Sequence, residues 1–224
     1  AGFGRLRANL LMTVGQAQAE TSLDQLRANL APLIAANAMF DGWSSQGARN
    51  AARGAGIDED VALYAFSGGQ MQMIDAWIAT VDQGMVLALP MERLAEMKIR
   101  ERIAVLVRWR LDRVAGLEEA VRGALAIMAM PQNAARGLRI GWRGADMMWR
   151  QAGDTATDFN HYSKRALLAG IYTATLAVWL DDKSEAKAES LAFLDRRIEG
   201  VMRFEKAKAK LLKDVGGQPI REPF

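Results

Sequence analysis

Apolar residues return every three or four positions along most of the chain, and nowhere do apolar and polar side chains alternate as they would in a half-buried strand. That regularity confines the fold to packed helices. From Ser22, a plausible cap, the series Leu23, Leu26, Leu30, Leu33 and Ile34 predicts a first helix that Pro32 should bend. A short helix is expected over Ser44 to Arg53, with Ala48, Ala51 and Ala52 as a small packing face and Gly54 and Gly56 as its stop. Another is expected over Asp58 to Phe66, capped by Asp58, with Val61, Ala62 and Ala65 inward.

Longer helices follow. Gly69 to about Gly84 places Met71, Ile74, Ile78 and Val81 on one side. Pro90 opens a helix whose stripe runs Leu94, Met97, Ile103, Leu106, Val107, Leu111 and Val114, with Arg102, Arg108 and Arg113 mostly outside it. Leu117 to Met130 is nearly all apolar after its first turn, which predicts burial on most sides, and Pro131 ends it. Segments over Asn133 to Arg150, Asp158 to Leu180 and Glu185 to about Lys213 complete the set. Between two of them Gly153 suits a left-handed helix end, and Asp154, Thr155 and Thr157 can accept hydrogen bonds from the next helix's free amides. No internal repeat organises the chain; Leu-Arg-Ala-Asn-Leu at 6–10 and 26–30 is read as coincidence.

The 224 residues carry no cysteine and one histidine, His161. Disulfides, thiolate nucleophiles and sulfur-ligated zinc are thereby excluded, and a histidine-rich metal site or a serine triad would have to rest on His161 alone. The carboxylates are scattered without a catalytic motif, so neither enzymatic activity nor a cofactor is expected. Apolar runs break before the ~18–20 residues that a spanning helix needs, so membrane contact would be peripheral. Charge is uneven. Residues 20–66 hold three arginines against six carboxylates, whereas 196–213 hold seven cations against two glutamates. The basic end is the candidate for an anionic partner.

The three short amino-terminal helices look like a helix-turn-helix unit, which invites a DNA reading. A DNA reader inserts a basic helix into the major groove, but the would-be recognition helix begins Asp58-Glu59-Asp60 and has neither lysine nor arginine. The unit is therefore read as a structural cap or dimer element. A ligand-responsive transcriptional regulator remains the alternative.

The run Trp149-x-x-Ala-Gly-Asp-x-x-Thr-Asp-Phe-Asn-x-Tyr-x-Lys-Arg165, then Trp179-Leu-Asp-Asp and Phe193-Leu-Asp-Arg-Arg-Ile198, closely resembles the Coq-nine family of ubiquinone-biosynthesis accessory proteins. Phe40-Asp-Gly-Trp43 and Met97-Lys-Ile-Arg-Glu-Arg-Ile103 look like the same family, extending the resemblance over about residues 20 to 205. It implies an all-α fold like that of the TetR regulators. The expected organisation is a flexible or processed segment at 1–19, a helix-turn-helix-like unit at 20–68, a lipid-binding body with a basic last helix at 69–215, and a tail at 216–224.

The resemblance also implies a non-catalytic homodimer that binds polyprenyl quinones or phospholipid and presents intermediates to a di-iron demethoxyubiquinone hydroxylase. Its place would be the cytoplasmic face of a bacterial inner membrane or the matrix face of the mitochondrial one. Candidate lipid contacts are Leu125, Met128, Trp142, Met147, Leu168, Ile171 and Tyr172, although by themselves such stripes are ordinarily core packing. The family's hydroxylase-binding patch maps onto the turn, giving Trp149, Asp154, Asp158, Asn160, His161, Tyr162 and Arg165. Asp154 and Asp158 also read as helix caps, and Phe159 equally as core. His161 stands where the family frequently has tryptophan. At the basic end, Phe204, Lys208, Leu211 and Leu212 form a candidate membrane contact, with a solvated terminal helix as the plain alternative.

Overall fold

The computed structural model describes residues 23–155 and 159–214, except the side chains of 159, 160, 202 and 204–214. All regular structure among these residues is helical. α1 covers 23–41, followed by α2 (Ser45–Gly54), α3 (Glu59–Ala65), α4 (Gln70–Ala88), α5 (Met91–Leu94), α6 (Ile99–Arg113), α7 (Glu118–Ala129), α8 (Ala134–Gln151), α9 (Phe159–Asp181), a 3-10 turn (Glu185–Lys187) and α10 (Ala188–Asp214). Long-range packing gathers them into two compact units. One holds residues up to Thr80 together with Leu117–Ala134, and the other Val81–Gly116 with 135 onward. The division expected at residues 68 and 69 is thus not the one drawn by contacts. Local periodicity carries no information about α7, which belongs with the amino-terminal helices.

In the first unit, side-chain caps set the helix starts. Ser44 Oγ accepts from the Gly47 amide, and Asp58 Oδ1 accepts from the amides of Asp60 and Val61 at 2.8 and 3.1 Å. Leu30, Ile34, Ala48, Ala52, Ala62 and Ala65 are wholly buried. Val61, expected inward, is 46% exposed instead, because Ala62 and Ala65 set the inward face of so short a helix. Trp43 anchors the core: its Nε1–H donates to Ala120 O at 2.9 Å, its ring stands 5.3 Å from that of Trp77, and Gly123 leaves α7 open for the indole. α7 is less enclosed than its composition predicts. Ala120, Val121, Ala124 and Ile127 are buried, whereas Ala126 and Met130 are exposed.

In the second unit, the expected single helix after Pro90 is two. α5 is one turn long, and α6 begins afresh at Ile99, where the Glu101 carboxylate accepts from the Lys98 amide. Leu94, Leu106, Val107, Leu111, Met148, Trp179 and Leu194 form the core, with α10 packed along α9 and both touching α6. Into this apolar setting the chain places Arg110, 3% exposed, whose guanidinium ion-pairs with the 1% exposed Asp82. Arg143 Nε lies 3.6 Å from the second Asp82 oxygen, the Tyr172 ring stands 5.0 Å from Arg110 Cζ, and the bare Gly144 backbone admits the guanidinium at close range. Among the described residues, Asp82 Oδ2 and Arg110 Nε are buried without a hydrogen-bond partner. After α9, Asp182 accepts from the amides of Ser184 and Ser190, both at 2.8 Å, and from their hydroxyls.

Candidate functional site

α8 ends as its sequence predicts. Gly153 takes φ +90°, its amide donates to Arg150 O, and the Asp154 amide donates to Trp149 O. The Asp154 side chain binds two cations of α9, with Oδ1 2.9 Å from Lys164 Nζ and Oδ2 3.0 Å from Arg165 Nη1. Burial alone would raise the Asp154 pKa, but donation from Lys164 and Arg165 prevails and holds it below the usual carboxylate value. Arg165, 1% exposed, also pairs with Asp146 on α8 and donates to His161 O at 3.1 Å. Trp149, 4% exposed, donates its indole N–H to Lys164 O. The turn is therefore tied from behind to both helices by charge-assisted bonds, which are the stronger kind.

In front of that anchor lies an aromatic group. Tyr162 is 61% exposed, its ring 6.0 Å from that of Trp142 and 5.1 Å, edge-on, from His161. Of the residues expected at a partner surface, Tyr162 and half-buried His161 lie outward, whereas Trp149 and Arg165 are core and act as supports. Asp154 is a support too. Asp158 and the Asn160 side chain lie outside the described residues.

Beside the turn is an apolar cleft of ≈ 380 Å³, solvent included, lined by Ile99, Arg100, Ile103, Trp149, Lys164, Leu167, Leu168, Ile171, Ile198 and Val201. No polar atom of its wall is exposed to it, so Arg100 and Lys164 contribute only their methylene stems. Leu168 and Ile171 were expected in a lipid site and are here. The other candidates are elsewhere. Trp142 joins the aromatic group, Tyr172 packs against Arg110, Met147 is half-buried off the cleft, and Leu125 and Met128 belong to the first unit. The sequence reading missed Ile99 with Ile103 and Ile198 with Val201, although their i, i+4 and i, i+3 spacing on α6 and α10 marks a shared face. Phe204, Lys208, Leu211 and Leu212 lie on α10, their side chains outside the described set. No described helix is long and apolar enough to cross a membrane, and no described cluster of acids and histidine could hold a metal ion.

Comparison with known proteins bears on the same region. Residues 134–205 match the COQ9 family model. Rat ubiquinone biosynthesis protein COQ9, mitochondrial, is 42% identical over 93 residues, which are 42% of this chain and 30% of the rat protein. The human protein of that name is 38% identical over 93 residues, covering 42% and 29%. A Dictyostelium discoideum protein, named as a probable mitochondrial ubiquinone biosynthesis protein coq9, is 25% identical over 123 residues, covering 55% and 40%. The aligned stretch thus spans less than a third of the rat and human relatives. The COQ9 resemblance read in the sequence stands, and its family match is narrower than residues 20 to 205, leaving Phe40-Asp-Gly-Trp43 and Met97–Ile103 outside. Among solved structures, a TetR transcriptional regulator from Nitrosomonas europaea superposes with TM-score 0.62 over 78% of this chain and 97% of its own, at 18% identity. That likeness shows a TetR-like fold.

Proposed function

We propose that this chain, through its COQ9-like residues 134–205, serves ubiquinone biosynthesis as a non-catalytic carrier that takes up polyprenyl quinone intermediates and presents them to a di-iron hydroxylase. The observation that carries the reading is the wholly apolar cleft set against a firmly anchored turn displaying Tyr162. A polyprenyl tail leaves a bilayer only for another apolar site, at ~0.8 kcal/mol per carbon, so one five-carbon isoprene unit is worth ~4 kcal/mol. The ≈ 380 Å³ of the cleft include open solvent, so it receives only the end of an isoprenoid group against its apolar wall. A complete tail needs the helices to part further. The oxidative chemistry belongs to the partner, and the aromatic group of Trp142, His161 and Tyr162 offers it the kind of side chains that dominate binding hot spots.

The names of the rat and human relatives favour a mitochondrial place. Within it the proposed site of action is the matrix face of the inner membrane, with the end of α10, carrying Phe204, Lys208, Leu211 and Leu212, as the peripheral contact, and a homodimer as the working form. Regulation of transcription is the lesser reading. The fold match invites it, but Asp58, Asp60, Val61 and Tyr64 are the exposed residues where a DNA reader needs cations. A gel shift at low salt is expected to show no binding.

The test is native mass spectrometry of the purified protein with and without its hydroxylase, with the wild type carrying an isoprenoid mass. Tyr162→Lys should weaken capture of the hydroxylase by at least about tenfold, a hot-spot loss, with thermal stability nearly unchanged because the side chain is exposed. Lipid-free protein that also fails to bind added isoprenoid would remove the carrier role, and undiminished capture by the variant would remove the surface assignment.

A further inference from the structure

Lys164 belongs to two structures at once. Its stem forms part of the cleft wall, while its ammonium sits 2.9 Å from Asp154 Oδ1 and 5.3 Å from the Trp149 ring centroid. The ion pair is nearly enclosed, with side chains 12% and 6% exposed, and the apolar stem of Lys164 joins it to the cleft. Asp154 passes the connection on: its second oxygen holds Arg165, whose Nη1 also donates to the carbonyl of His161, the residue before Tyr162. From the other side, the Asp154 amide is bonded to the carbonyl of Trp149, itself a wall of the cleft.

We infer that Lys164 is a positioning residue that couples the cleft to the turn, so that a neutral isoprenoid in the cleft tightens the Asp154 anchor and orders the segment presenting Tyr162; this rests on the carrier reading above. The physical reason is the local dielectric. Both charges have already lost most of their water and have found each other, so replacing cleft water by hydrocarbon strengthens their attraction at little further desolvation cost. The same hydrocarbon packs on the Lys164 stem and fixes its rotamer. An anionic headgroup gains nothing from this arrangement, since the wall offers it no exposed donor. Loaded protein thereby differs from empty protein at the partner surface, without any lipid atom reaching that surface.

The experiment is amide hydrogen exchange on the full chain with and without farnesol, with bound farnesol counted by native mass spectrometry and variants compared at matched occupancy. In the wild type, farnesol should slow exchange at residues 153–155 and 161–165 by roughly five- to tenfold, the low end of site-to-site couplings. Lys164→Met keeps an apolar stem without the charge and should show no farnesol-dependent slowing there, while Lys164→Arg should restore most of it. A merely structural lysine would change the baseline and leave the ligand-dependent difference intact. Farnesol bound to wild type with exchange unchanged, or full slowing in Lys164→Met, overturns the coupling and spares the carrier reading. Absence of bound farnesol in the wild type overturns both.

Discussion

Asp82→Asn removes one charge and almost no volume, from a position where the surroundings cannot adjust. The carboxylate is 1% exposed and its partner Arg110 3% exposed, so the variant leaves a guanidinium enclosed with no counter-charge within the core. Breaking one side of such a pair costs ~3–5 kcal/mol. Two features favour the lower figure: the Tyr172 ring 5.0 Å from Arg110 Cζ keeps some attraction for the cation, and an asparagine oxygen still accepts one hydrogen bond. Arg143 adds little, since its side chain is 40% exposed and can turn to water. At ~2–4 °C per kcal/mol for a chain of this size, a loss of ~3 kcal/mol lowers Tm by roughly 6–12 °C.

The assay is thermal and urea unfolding of Asp82→Asn, Arg110→Met and the double variant. Arg110→Met alone strands the carboxylate and should also be costly. The double variant buries no net charge and should be more stable than Asp82→Asn, a non-additivity that distant sites do not show. The reasoning is refuted if Asp82→Asn stays within ~1 kcal/mol of the wild type, where ordinary surface substitutions lie, or if the two single losses simply add.

Two further outcomes test the remaining anchors. Trp43→Phe keeps the aromatic packing but strips the indole donor from Ala120 O, and should cost ~1–3 kcal/mol in urea unfolding, with a cost near zero showing that the bond is immaterial. The hydroxyls and amides of Ser184 and Ser190 hold the Asp182 carboxyl far below its ordinary 3.8. A folded pKa lower than the unfolded one makes its contribution complete above about pH 4 and progressively lost as pH falls further. Asp182→Asn should therefore be less stable than the wild type at neutral pH and converge with it toward pH 2 in a series of Tm measurements; parallel curves would contradict the assignment.

Much of the helical plan was legible because its signals are local. Asp58 caps where expected, Gly153 turns left-handed where expected, and the apolar stripes of α4 and α6 point inward. What failed was decided by partners far along the chain. Nothing within a turn of Arg110 distinguishes it from the outward Arg113, since its burial depends on Asp82, Tyr172 and the side-chain-free Gly144 arriving from other helices. The break at Ala95–Lys98 lies within an unbroken apolar stripe and has no proline or glycine to mark it. At the candidate site the motif marked the correct turn, but motif letters do not separate display from support: Tyr162 is displayed, while Trp149, Asp154 and Arg165 hold it up.

The hydrogen bond from Trp43 to Ala120 spans 77 positions, and the unit it closes is interrupted by Val81–Gly116. On a ribosome adding ~5–20 residues per second, the indole therefore waits ~4–15 s for its acceptor to be synthesised. During that interval the nascent amino-terminal helices lack the α7 surface that receives the Trp43 indole, which leaves an apolar face for a holding chaperone to grip.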